Sequence, residues 1–142
     1  MAEQNYKNHV RLDPLYHFVL IPVVCVNVGI AVSRAAWRPG WESGWELVMA
    51  LALVLIVLKL RLYSLKVQDR LIRLEETLRM QRVLPEELRG RIGELTPQQF
   101  VALRFASDGE LAGLVKRALE EKLGLKEIKQ AVVNWRGDEF RV

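Results

Sequence analysis

The feature that most constrains this chain is an apolar stretch over residues 15–33 that contains no charged side chain. As an α-helix rising about 1.5 Å per residue, it would cover roughly 28 Å, close to the thickness of a bilayer's hydrocarbon core. A signal peptide has basic residues just before a shorter apolar core and small residues after it. Here a polar segment of residues 1–14 precedes the stretch and Arg34 follows it. The sequence therefore predicts a retained transmembrane helix over residues 15–36.

A second apolar stretch predicts a second crossing. Residues 47–58 are uninterrupted apolar residues, and Lys59 and Arg61 interrupt the pattern only at its end. Because Lys and Arg extend their charges toward the headgroups while their stems stay in apolar surroundings, they restore enough length to cross. A helix buried in a soluble core is the alternative for a stretch this short.

The segment between the two stretches, residues 37–44, predicts a short turn at a membrane surface. It contains Pro39 and Gly40, which favour a turn. Trp37, Trp41 and Trp45 recur every fourth residue and are typical of an aromatic belt at the interface.

Charge distribution predicts the direction of this hairpin. Two crossings place both ends of the chain on one side, and the bases flanking the membrane on that side outnumber Arg34 and Arg38 in the turn. By the positive-inside rule both termini are predicted to be cytoplasmic. Residues 59–82 hold seven bases and three acids of a chain with net charge +4. Anionic lipid headgroups are the partner that this juxtamembrane excess favours. The basic residues expected at the headgroups are Lys59, Arg61, Lys66 and Arg70.

Small residues on the first helix predict close helix packing. Cys25, Gly29 and Ser33 recur every fourth residue, and Asn27 is the strongly polar side chain at depth. Such a face lets a second helix approach, and an amide can donate a hydrogen bond across the contact. The simplest neighbour is the second helix of the same chain. The alternative is an oligomer that forms a channel or transport accessory subunit, with Asn27 and His17 facing a pore.

The second helix is predicted to continue without a break over residues 45–83, because neither Gly nor Pro occurs between Trp45 and Val83. Its water-exposed part carries apolar residues at spacings of three and four, typical of a coiled-coil contact. This leucine stripe consists of Val67, Leu71, Leu74 and Leu78. The pattern leaves two interpretations open: the stripe joins two chains in a homo-oligomer, or it packs against the chain's own C-terminal helices.

After a connection over residues 84–95, capping patterns predict three short helices in the cytoplasmic region 96–142. Thr96 with Gln99, and Ser107 with Glu110, have the spacing of capping boxes. Gly124 is expected to end the second helix, and the third is expected to run over residues 125–136. The predicted fold class is all-α: a two-helix transmembrane hairpin, its second helix extended into the cytoplasm, and a small three-helix C-terminal region. The apolar faces of the three short helices comprise Phe100, Leu103, Leu111, Leu114, Val115, Leu119, Ile128, Val132 and Trp135.

Patterns of catalytic chemistry are missing from the sequence. It has no phosphate-binding glycine loop, no HExxH and no GxSxG motif. One cysteine, Cys25, and two histidines, His9 and His17, predict no metal or cofactor site on one chain. Lys126, Lys129 and Arg136 could instead mark a membrane-tethered nucleic-acid binder with Asn134 at a base edge, but acids surround these bases.

Four segments together resemble a known family. They are QNYKNH at 4–9, LYHF at 15–18, LRFASD at 103–108 and NWRGD at 134–138. The set resembles an uncharacterised family of short bacterial membrane proteins, a domain of unknown function. The resemblance implies a two-span inner-membrane protein and supplies no activity, cofactor or functional residue. The expected function is thus a non-enzymatic interaction or scaffolding module that binds lipid and an unknown protein partner.

Overall fold

The computed structural model describes Tyr6 and residues 12–137. Within that part of the chain, the predicted all-α class is confirmed: two long apolar helices precede several short ones. The chain divides into a hairpin unit, Leu12–Leu65, and a second unit that contains Lys66–Val142, here called the C-terminal unit. Most of the predicted polar segment 1–14 and the end of region 96–142 lie outside the described residues.

The first apolar helix begins with π-helical turns at Leu15–Leu20 and continues as helix α1, Ile21–Trp37. The carboxylate of Asp13 accepts from the backbone N–H of Leu15 and of Tyr16, at 3.0 and 3.2 Å. Pro22 lies in the first turn of α1. A proline has no backbone N–H and its ring crowds the carbonyl four residues earlier, so the wider π turns just before it accommodate the defect.

The turn after α1 is shorter than predicted, because helix α2, Trp41–Val83, begins at Trp41 instead of Trp45. Ser43 explains the early start. Its Oγ donates to the carbonyl oxygens of Arg38 and Gly40, at 2.8 and 3.1 Å, and this ties the first turn of α2 to the preceding loop. From there α2 continues unbroken for 43 residues, as the absence of Gly and Pro after Trp45 predicts.

Contacts at both ends show that α1 and the first part of α2 form an antiparallel hairpin. Near the turn, Arg34 Nη1 lies 2.9 Å from Glu46 Oε1. At the far end, the guanidinium of Arg61 lies 5.3 Å from the centre of the Tyr16 ring. The buried side chains of this unit are mostly small or β-branched: Val24, Ala31, Ala50 and Val57, with Ser43 at the turn.

The C-terminal unit consists of the end of α2 and the short helices that follow it. These are α3 (Glu86–Arg89), a 3₁₀ turn (Ile92–Glu94), α4 (Pro97–Leu103), α5 (Asp108–Glu120) and α6 (Leu125–Ala131). Most of the apolar faces predicted for this region are buried in one cluster, and Leu119 and Trp135 pack against it partly exposed. The sequence interpretation missed four contributors from outside those helices: Met80, Leu84, Ile92 and Leu95.

Both predicted capping boxes form. The prediction for Gly124 is wrong, because α5 ends at Glu120 and Lys122 adopts the left-handed conformation with φ 52°. Gly124 instead precedes α6, where its N–H donates to Glu127 Oε2 at 2.7 Å. A left-handed lysine costs roughly 1 kcal/mol relative to glycine, so the helix end would be expected at the glycine, yet the chain leaves the helix two residues earlier, at Lys122.

The third short helix ends at Ala131, and the predicted continuation to Arg136 is wrong. The backbone of Trp135 pairs with Ala106 in an antiparallel bridge. Glu110 fixes the turn before this bridge: its carboxylate accepts from the N–H groups of Val133 and Asn134, at 3.0 and 3.1 Å, as well as from Ser107. One side chain therefore caps α5 and holds the segment after α6.

We expect Glu110→Ala to destabilise the C-terminal unit by about 1–3 kcal/mol, because three backbone donors lose their acceptor. Hydrogen exchange of the full chain should show faster exchange at residues 133–134, with little change at α3. Glu87→Ala, at an exposed acid on α3, is the matched control. Unchanged exchange at residues 133–134 would show that water replaces the carboxylate without loss.

Candidate interaction surfaces

The C-terminal unit contains an open groove of about 1120 Å³. It lies beside the end of α2, and the segments after α4 and α6 complete its wall. Its charged lining residues carry both signs: Glu75, Glu76, Arg79, Arg82, Arg104, Asp108 and Arg136. Leu71 and Leu78 of the leucine stripe border the same groove.

Arg79 is the centre of a buried ion cluster in this groove. Its Nη1 lies 2.9 Å from Glu76 Oε2, and its Nε and Nη2 lie 2.8 and 2.6 Å from Asp108 Oδ1. Nη2 also donates to the carbonyl oxygen of Ala106 at 2.7 Å. Arg136 adds a contact of 3.3 Å to the other oxygen of Glu76. The cluster therefore binds α2 to the start of α5 and to the segment after α6.

Burial determines which of these contacts matter most for folding. The side chains of Arg79 and Glu76 are 8% and 7% exposed, whereas those of Asp108 and Arg136 are 68% and 53% exposed. A charge removed from water needs its partner far more than a solvated charge does. Glu76 and Arg79 thus form the essential pair of a structural ion cluster.

No pattern in the sequence predicted this cluster. Asp108 lies in the first turn of α5 and also accepts from Arg79. The sequence offers no pattern that joins two residues 29 positions apart, although an acid next to a capping box is a plausible place to look.

The leucine stripe is exposed in the structure. Val67, Leu71, Leu74 and Leu78 expose 67, 54, 58 and 52% of their surface. In the single chain the C-terminal helices leave more than half of each stripe residue uncovered. Ile72, Glu76, Arg79 and Met80 form the buried face instead. That face lies roughly opposite the stripe, because residues three, four, seven and eight apart share a side of a helix.

The small-residue face on α1 is also exposed. Cys25, Asn27, Gly29 and Ser33 are all exposed, and a Cβ added at Gly29 would meet no atom within 4 Å. In the single chain the second helix leaves these four residues exposed, and Val24 and Ala31 are the buried residues of α1. Packing of these four residues against another chain stays a prediction.

The predicted interfacial residues lie on the surface of the molecule. Trp37, Trp41 and Trp45 are 84, 85 and 55% exposed. Of the bases expected at lipid headgroups, Lys59 lies 5.8 Å from the Tyr63 ring centre, and Lys66 and Arg70 are exposed. Arg61 contacts Tyr16, as described above. These positions suit a membrane interface, and their contact with lipid stays a prediction.

Residues considered for nucleic-acid recognition have roles within the C-terminal unit. Arg136 pairs with Glu76, and the ammonium of Lys129 lies 5.3 Å from the Phe105 ring centre. Asn134 follows the end of α6 and so does not lie on a recognition helix. In the described residues, no group of three His, Cys, Asp or Glu side chains is arranged to hold a metal ion.

Charge pairing shifts the pKa values of Arg91 and Glu94, which form an ion pair on the surface. The hydrogen bond from Arg91, with contacts of 2.9–3.3 Å, lowers the pKa of Glu94 below its ordinary value. A carboxyl group whose pKa is lowered by folding stabilises the folded state at pH values above its pKa in the unfolded chain. This contribution is lost as the pH falls through its pKa in the folded chain. Because both groups are solvated, the pair contributes little to stability.

We expect Arg79→Met to destabilise the C-terminal unit by roughly 3–5 kcal/mol, because Glu76 would be left as a buried carboxylate without its main partner. Adding Glu76→Leu should recover part of this loss. Arg82→Met, at an exposed arginine in the same groove, is the control and should change stability little. Thermal unfolding of the detergent-solubilised full chain measures all three. Equal effects at positions 79 and 82 would refute the central role of Arg79.

Comparison with known proteins assigns the chain to a family but gives no activity. No curated protein and no solved structure matches it. The model of a family of unknown function, DUF6526, matches residues 1–142. Because the match covers the full sequence, the chain belongs to the DUF6526 family.

Proposed function

We propose that this protein is a non-enzymatic interaction or scaffolding module, anchored in a bacterial inner membrane by a two-span hairpin with both termini in the cytoplasm. The observation that carries the membrane anchor is the exposure of apolar surface on both long helices. Leu15–Trp37 and Trp41–Val83 are each long and apolar enough to cross a bilayer, and only 11% of the most apolar window of each is buried in the protein. A core helix of a soluble protein would be mostly buried.

The positions of the charges and tryptophans support the orientation. Trp37 and Trp41 flank the turn of the hairpin, where an aromatic belt would meet one interface. Lys59, Arg61, Lys66 and Arg70 follow the second apolar stretch, where bases favour the cytoplasmic face and contact with anionic headgroups.

The scaffolding role is supported by the C-terminal unit. Its charged groove is occupied by an ion cluster that stabilises the fold, and its leucine stripe exposes large apolar side chains on a helix surface. An exposed contiguous apolar surface is typical of a protein-binding site. These features favour binding over catalysis.

We expect the parent protein to stay in the membrane pellet after washing with alkaline carbonate. Val26→Asp combined with Leu55→Asp should make the chain extractable, because a carboxylate near the bilayer centre opposes insertion. Both positions are 61% exposed, so a soluble fold would tolerate the two acids. A parent that is extracted as readily as the variant would rule out the membrane anchor.

We expect opposite accessibility at the two ends of the hairpin. In a Cys25→Ser background, Gly40→Cys in the turn should react with a membrane-impermeant maleimide added to spheroplasts, whereas Glu87→Cys in the C-terminal unit should react only after lysis. Both positions are exposed, so burial does not limit labelling. Labelling of Glu87→Cys in sealed spheroplasts would reverse the proposed orientation.

A further inference from the structure

The leucine stripe lies on a side of α2 that its own unit leaves largely exposed, and its Leu71 and Leu78 border the groove. In the water-exposed part of the helix, Ile72, Glu76, Arg79 and Met80 face the C-terminal unit. The four stripe residues follow one another at spacings of four, three and four, and each is more than half exposed. This spacing is that of alternating a and d positions in a coiled coil, with Leu71 and Leu78 at a and Val67 and Leu74 at d.

We infer that the stripe binds the same stripe of a second copy of this chain, as a parallel and in-register pair of α2 helices. The inference deepens the proposed function and rests on it for the orientation: two chains inserted in the membrane in the same direction present their cytoplasmic helices in parallel. A helix that repeats its apolar residues with period 3.5 fits an identical partner of the same period.

Charge complementarity favours this occupant over an unrelated protein. Arg70 precedes the a-position Leu71, and Glu75 follows the d-position Leu74. In a parallel coiled coil, the residue just before an a position (position g) on one helix faces position e of the other helix. In sequence number, position e is five residues later. Arg70 of each chain therefore faces Glu75 of the other, which gives two attractive contacts related by symmetry. Both side chains are exposed in the single chain and available for this pairing.

The arrangement also explains the distribution of charge around α2. In a free-standing coiled coil, the positions far from the contact face solvent and are polar. Here those positions hold Glu76 and Arg79, which are buried against the chain's own short helices. The helix thus has one face for its own unit and the opposite face for the second copy, and pairing would not require the C-terminal unit to open.

Cysteine cross-linking in native membranes tests the inference. In a Cys25→Ser background, Val67→Cys and Leu78→Cys should each form a disulfide with the same residue of a second copy under mild oxidation. In an antiparallel pair, at most one of these two positions could lie opposite the same residue of the second copy. Asp69→Cys is the matched control, because it is exposed and lies about 200° around the helix from Val67.

Charge reversal tests the register independently. Arg70→Glu or Glu75→Arg alone should lower the cross-linked fraction at Val67→Cys roughly three- to tenfold, because each creates two like-charge contacts. The two reversals together should restore it. If Arg70 acts only on lipid headgroups, Glu75→Arg would not lower cross-linking, and that result would overturn the register.

Cross-linking at positions 67 and 78 no higher than at 69 would overturn self-pairing. The same membranes, washed with alkaline carbonate, separate this failure from a failure of the proposed function. A chain that stays in the pellet without cross-linking keeps its anchor and loses the homodimer. A chain that cross-links at both positions but is extracted by carbonate keeps the pairing of the stripe and loses the anchor.

Discussion

The ion pair between Glu76 and Arg79 determines how the end of α2 is used. A buried guanidinium needs acceptors on all sides, and here Glu76, Asp108 and the carbonyl of Ala106 supply them. These partners come from α2 itself and from the segment that opens α5. Since α2 cannot rotate without breaking the hydrogen bonds from Arg79 to Asp108 and to the Ala106 carbonyl, the cluster fixes one face of α2 inward. The leucine stripe is then directed outward by helical geometry alone.

This dependence explains why hydropathy alone leaves the inner face of α2 undecided. A stripe of leucine and valine has the strongest apolar periodicity in residues 64–82, so sequence reasoning treated it as one of two possible cores. The true inner face contains two charged residues, and its apolar contribution comes from Ile72 and Met80. Charged side chains lower the apparent hydrophobicity of a buried face, and their compensation by Asp108 is visible only in three dimensions.

Local patterns predicted the rest of the fold well wherever the deciding interactions are local. The unbroken α2, both capping boxes and most of the C-terminal core depend on residues within a few positions of one another. The errors concern contacts between distant segments. Helix α6 stops early because Glu110 and Ala106 bind the chain that follows it, and the small-residue face of α1 is exposed because β-branched and alanine side chains fill the inner face.

The exposure of apolar residues has different consequences in the two parts of α2. In the proposed membrane anchor, lipid would cover side chains such as Leu53 and Leu55 without cost, so an apolar medium explains their exposure in the single chain. Beyond that anchor, water would surround Leu71 and Leu74, and covering a half-exposed leucine there is worth on the order of 1 kcal/mol. A protein gains from burying that surface, and its own helices are held on the other side by Arg79. The water-exposed part of the stripe is therefore where a protein partner is physically favoured, and the opposite charges of Arg70 and Glu75 make an identical chain the partner that fits.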